Sequence, residues 1–290
     1  MMVEGEMRAV IRYISERRCT EGGYCFYRLP EPNAADTHAA LDAYNRLGGV
    51  QEDPATGRFL CSLQRPDGSY TNPFVARAAI RGLLLLGKVS EHDPAQWLLG
   101  RLRFAGDGEA PPETISRLEG LLATIECCRL LRIPINQEFS RRIVHHLRSS
   151  RHEDRGWGSV HSTLIETGHA LRILSLLGDV ESIPPSEQFL RLCEDSTFGF
   201  LSLPGATPAF IESVTAGIQV CHLLHIRPRY QDACRRFIRS CELQNGGYCR
   251  SQFGGAATLE YTGMALEAIA LLDRMDTAAW LSDSYQGQSE

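Results

Sequence analysis

Two kinds of hydrophobic pattern alternate along this chain. In Arg58–Gln64, Ala95–Arg103, Phe139–Ser149 and Tyr230–Leu243, apolar residues keep to one side of a 3.6-residue period and charges occupy the other. That pattern predicts helices with one face in solvent. In Asp36–Leu47, Val75–Leu86, Arg117–Leu131, Glu166–Leu177, Glu212–Leu224 and Glu260–Leu272, apolar and small residues surround most of the circumference. A helix apolar on nearly every side has to be buried, so these stretches are predicted inner helices, covered by outer helices of the first kind.

A glycine turn, usually followed by an aromatic, separates each outer stretch from the next inner one. It recurs as Gly22-Gly23-Tyr24, Asp67-Gly68-Ser69-Tyr70, Asp107-Gly108, Arg155-Gly156-Trp157, Phe198-Gly199-Phe200 and Gly246-Gly247-Tyr248, at intervals of 45, 40, 48, 43 and 48 residues. Six units therefore fill the chain. Each is one helical hairpin that cannot bury its own apolar face, so stacking is required. The first and last units are as apolar as the middle ones, whereas an open solenoid needs polar caps. The predicted fold is therefore all-α, an (α/α)6 toroid of six hairpins forming a single domain over residues 1–290, with a loosely packed polar tail over 276–290. The turn residues read as structural: Gly and Asx suit left-handed backbone, and the aromatic packs beneath the following outer helix.

Composition narrows the function without naming it. Thirty Lys and Arg are interspersed with 35 Asp and Glu, for a formal net charge of −5. No basic arm or patch is available to neutralise a phosphate backbone, so nucleic acid is not an expected partner. The longest aliphatic run, Leu83 to Leu86, is far short of a membrane span, and the first residues lack the basic-then-apolar pattern of a signal peptide. A cytoplasmic protein is expected. Ten cysteines, several on apolar helix faces such as Cys127, Cys128 and Cys221, read as reduced core thiols; adjacent Cys127 and Cys128 face different directions on one helix, so a structural disulfide between them is not expected.

The motifs Gln64–Tyr70 and Gln244–Tyr248, with Gly22–Tyr27 (GGYCFY), resemble the repeat shared by protein prenyltransferase β subunits and squalene/terpene cyclases. The resemblance spans all six units and implies an isoprenoid or other elongated apolar substrate in a central cavity lined by inner helices. It also implies a zinc held by an Asp-x-Cys pair and a His, but in repeat register those positions fall on Glu212-Ser213-Val214 and on or beside Tyr261. Two of the three ligands are missing, so neither zinc nor another cofactor is expected. The Asp-x-Asp-Asp acid of the alkene-protonating cyclases is absent as well. The basic residues expected ahead of the Asp-x-Cys pair correspond to Ala206 through Ala209, which leaves Arg117 as the residue aligned with a pocket arginine of the family.

Candidate chemistry follows from the inner helices. Asp36, Glu166, Glu212 and Glu260 sit near their starts in a shared register, forming a partial ring of acids that could stabilise a cation or serve as acid and base. The same placement complements a helix N-terminus with no substrate at all. Arg77 and Arg81 on the second inner helix, with Arg117, His38, His169 and Tyr261, are candidate substrate contacts. An arginine on an apolar helix must reach water, a ligand or a carboxylate such as Glu113 or Glu166. No phosphate-binding loop or dinucleotide fingerprint is present, and His145-His146 lies on a solvated outer face. Three readings follow. One is a prenyltransferase- or cyclase-like enzyme acting on an isoprenoid, with an isoprenoid diphosphate or another apolar small molecule as ligand. Another is a non-catalytic lipid-binding or interaction module. The last is a β-like subunit that needs a helical protein partner, marked by an apolar patch on the outer helices.

Overall fold

The computed structural model describes residues 2–27, 30–104, 117–277 and 280, with the backbone alone at 103, 104 and 117. Among these are twelve α-helices in strict alternation. The outer members are α1 (Glu4–Ser15), α3 (Pro54–Ser62), α5 (Ala95–Phe104), α7 (Gln137–Ser149), α9 (Glu187–Leu192) and α11 (Gln231–Ser240). The inner members are α2 (Ala34–Arg46), α4 (Pro73–Leu85), α6 (Arg117–Leu130), α8 (Leu164–Leu177), α10 (Ile211–Leu223) and α12 (Leu259–Met275). The two patterns are realised as burial. On α11 only Ala233, Cys234, Phe237 and Ile238 are buried, one stripe of the helix, whereas Ile211, Ser213–Ile218, Val220 and Cys221 are all buried on α10.

Several inner helices begin about two residues earlier than the hydrophobic pattern predicts, because a polar cap precedes them. Asn33, Asn72 and Thr258 accept backbone N–H groups of the first turns of α2, α4 and α12, and Thr163 accepts from Glu166 N at 3.1 Å. The fifth outer helix is short because Pro184 and Pro185 divide the segment into 3-10 turns, Val180–Ser182 and Pro184–Ser186, ahead of α9. A two-residue hairpin follows, with β1 (Glu194–Asp195) antiparallel to β2 (Gly199–Phe200).

The chain divides into two compact units. Residues 14–151 and 172–182 form one, in which α4 packs between α2 and α6, and α3 covers α4. Its core joins Leu41, Leu60 and Leu83, one from each of α2, α3 and α4. Residues 1–13, 152–171 and 183–290 form the other, in which α10 packs on α12 and α11 covers α12.

Within each unit the glycine turns carry buried aromatics. Tyr24, Tyr70, Trp157, Phe200 and Tyr248 are all buried; the Asp107-Gly108 turn lies outside the described residues. Gly22, at φ +100°, lies against α3, where an added Cβ would stand 2.3 Å from the Ala55 carbonyl carbon. Gly246, at φ +85°, makes the same approach to Ala9 of α1, so the sixth turn uses the first helix as its next outer helix. A buried threonine fixes the aromatic in three repeats. Tyr24 N donates to Thr37 Oγ1 at 2.9 Å, Trp157 N to Thr167 Oγ1 at 3.0 Å and Tyr248 N to Thr262 Oγ1 at 3.1 Å. Each threonine stands one or two residues after an acid of the proposed ring.

Candidate functional site

The densest charge on the inner helices lies within the unit built around α4. Arg77 and Arg81 stand one turn apart on α4, on one face. Arg77 Nη2 reaches Glu119 Oε1 at 3.3 Å and its Nη1 lies 3.6 Å from Glu126 Oε2, both on α6. Glu126 is itself buried and takes a second guanidinium, Arg172 of α8, on its other oxygen. One buried carboxylate thus lies between two half-buried arginines from neighbouring helices, and among the described residues its Oε2 accepts no hydrogen bond. The Phe74 ring adds an apolar wall, 5.9 Å from the Arg77 guanidinium and in van der Waals reach of Gly120. On α2, the Nε2 atom of His38 is buried and has no hydrogen-bond partner among the described residues. Burial, reinforced by Arg81 and Arg77 and opposed by Asp42, pushes the His38 pKa down to about 4, so the ring is neutral at pH 7.

The predicted acids all lie in the first turns of α2, α8, α10 and α12. Asp36 is buried, and its Oδ2 accepts from Phe26 N at 3.1 Å and from the Asn33 amide. That carboxylate fastens the first turn to its helix. Glu212 Oε1 accepts from Arg250 Nε at 2.7 Å, and the same guanidinium lies 4.2 Å from the Phe210 ring centroid. Glu166 and His169 are half-buried on α8, and Glu260 is exposed on α12. Tyr261 lies within electrostatic reach of Glu212, Arg250 and Glu260; burial first, then Glu212, raises its pKa and keeps the phenol protonated. The Arg117 side chain and Glu113 lie outside the described residues. Among the described outer-helix residues, the exposed large apolar side chains are Ile11 on α1 and Leu192 on α9, on separate elements.

The prenyltransferase alpha-alpha toroid domain matches residues 2–84 and 109–286. This chain belongs to that family. Solved structures agree in fold. Candida albicans protein geranylgeranyltransferase-I complexed with GGPP is 12% identical with TM-score 0.69, over 97% of this chain and 97% of that one. Two substituted forms of the type II terpene cyclase MstE from Scytonema also match. The form holding the product merosterolic acid A is 13% identical with TM-score 0.56, over 93% and 97% of the two chains. The form holding the substrate geranylgeranyl dihydroxybenzoate is 14% identical with TM-score 0.53, over 93% and 96%. No curated protein matches the chain by sequence.

Membership of the prenyltransferase toroid family raises the question of zinc, and the residues in register do not fit it. Glu212 is bonded to Arg250, Ser213 Oγ donates to Phe210 O at 2.8 Å, Val214 is an apolar core residue, and Tyr261 holds its proton. Among the described residues no three His, Cys, Asp or Glu side chains converge as a metal would require. Sequence reasoning nominated Arg77 but missed Glu119, Glu126, Arg172 and Arg250, which it meets or parallels. A signal for two of them was present: Glu126 and Arg172 are single charges of opposite sign, each inside an otherwise apolar stretch of an inner helix.

Proposed function

We propose that this toroid protein binds an elongated apolar, isoprenoid-type molecule along its inner helices and acts on it by chemistry that needs no zinc. The observation that carries the reading is the half-buried strip of Arg77, Arg81, Glu119, Glu126 and Arg172 on α4, α6 and α8. Set among apolar residues of these helices, the strip supplies a few polar groups of the kind that orient a ligand in an apolar site. Family membership and the geranylgeranyl ligands of the structurally similar proteins support the apolar part.

Thermal unfolding in the presence of C15 and C20 prenyl compounds tests the reading, with native mass spectrometry to detect a bound molecule. A rise in Tm that grows with concentration is expected. No shift and no adduct with any prenyl compound would refute it. A second reading, a binding module without catalysis, is favoured by the structural use of the rim acids: Asp36 fastens a turn and Glu212 is paired with Arg250. Recovery of every bound prenyl compound unchanged after prolonged incubation with candidate acceptors would support the module over the enzyme.

A further inference from the structure

The two oxygens of Glu126 are unequally served. The residue is buried on α6, with 9% of its side chain exposed. Its Oε1 accepts from Arg172 Nη2 of α8, whereas its Oε2 accepts no hydrogen bond among the described residues. Arg77 Nη1 of α4 stands 3.6 Å from Oε2, within reach of ion pairing but beyond hydrogen-bond length, while its Nη2 donates to Glu119 Oε1 at 3.3 Å. A buried carboxylate oxygen without a donor is costly. The surrounding side chains do not seal it in, since Arg77, Glu119 and Arg172 are 25%, 31% and 31% exposed. The same spot has an apolar side. The Phe74 ring lies 5.9 Å from the Arg77 guanidinium, and a Cβ added at Gly120 would meet Phe74 alone, at 3.9 Å, so α6 leaves open space beside that ring.

Whatever completes Oε2 must carry a donor hydrogen, and the charges around it choose among donors. An ammonium group would meet Glu126 but stand against the guanidiniums of Arg77 and Arg172. A carboxylate or diphosphate would meet those guanidiniums but set an anionic oxygen against Oε2. A hydroxyl is neutral, with one hydrogen to give and lone pairs to receive. We propose that Glu126 Oε2 and Arg77 Nη1 together seat the hydroxyl of an elongated apolar alcohol, which donates to the carboxylate and accepts from the guanidinium. An oxygen about 2.8 Å from each of the two atoms bridges their 3.6 Å separation. The claim rests on the proposed function, since that supplies the apolar tail, and it adds the head group.

Binding of farnesol, farnesyl methyl ether, farnesylamine and farnesyl diphosphate to the full chain, measured by calorimetry, tests it. The ether keeps the tail and the oxygen but has no hydrogen to donate, so the alcohol is expected to bind about ten-fold more tightly than the ether, and more tightly than either charged compound. In Glu126→Gln the amide oxygen is held by Arg172, which leaves an NH2 where Oε2 stood, and the advantage of alcohol over ether should fall to about two-fold or less. Arg77→Gln removes the donor that both oxygens use, so it should weaken alcohol and ether alike and keep the advantage. A cooperative melt above the assay temperature shows that each variant is folded, and the four compounds on the unsubstituted chain decide the matter without either variant. Three results would refute the hydroxyl seat while the isoprenoid reading stands: the ether binding as tightly as the alcohol, as it would if water alone served Oε2; a charged compound binding most tightly; or a folded Glu126→Gln keeping the advantage. If none of the four binds, the isoprenoid reading fails and the seat with it.

Discussion

At the scale of single residues, the glycine turns are the most constrained positions, and two independent causes can be separated. Gly68 has φ +81°, and an added Cβ would lie 2.2 Å from the Asp93 carbonyl oxygen, just ahead of α5. Gly178 has a similar φ of +83° with nothing within 4 Å. Gly178→Ala should therefore cost about 1 kcal/mol from the left-handed backbone alone, whereas Gly68→Ala adds a backbone collision and should cost about 2–4 kcal/mol. Urea midpoints of the two variants check this, and equal losses would show that the close approach to α5 does not matter. The motif was legible in the sequence because a left-handed turn makes a local demand on residue type. The threonines that hold the aromatics were not singled out, although Thr37 and Thr167 directly follow Asp36 and Glu166. A hydroxyl in a first helical turn looks like any cap until its partner, thirteen or ten residues away, is known.

At the scale of helices, the alternation of one-sided and all-round apolar stretches predicted the six inner helices and most outer ones, with starts displaced by the caps. It could not find α9, whose six residues behind two prolines are too few to show a period. The helices also carry the charge network, where burial sets the energetics. Glu126 is buried between guanidiniums whose side chains are 25% and 31% exposed, so its loss leaves two arginines facing each other in a partly dry layer. Glu126→Gln should destabilise by about 1–3 kcal/mol, below the figure for a fully buried pair because water reaches both arginines. Glu119→Gln, at a more exposed carboxylate, should cost less than about 1 kcal/mol. Chemical denaturation of both variants decides the order; a larger loss at Glu119 would mean that Glu126 is not the centre of the network.

For the molecule as a whole, ten free cysteines give a readout of packing. Nine are buried and Cys61 is half-buried; burial pushes Cys127, Cys193 and Cys234 up to about 12. A thiol-specific reagent in native buffer should label Cys61 slowly and leave the others until the chain unfolds, when all ten react. Fast native labelling of several thiols would contradict the described core. Beyond Met275, Trp280 is buried and stacks on His222 and His225 at centroid distances of 4.8 and 5.4 Å; residues 278, 279 and 281–290 lie outside the described part. Among the described residues no helix is long and apolar enough to cross a membrane. By itself the sequence determined the repeat, the two helix classes and the turn chemistry, because periodicity, capping and backbone handedness act over a few residues. Tertiary structure alone decided which charges meet. Arg77 finds Glu119 across 42 positions and Arg172 finds Glu126 across 46, and no local rule says which faces of helices so far apart in the chain will be packed together.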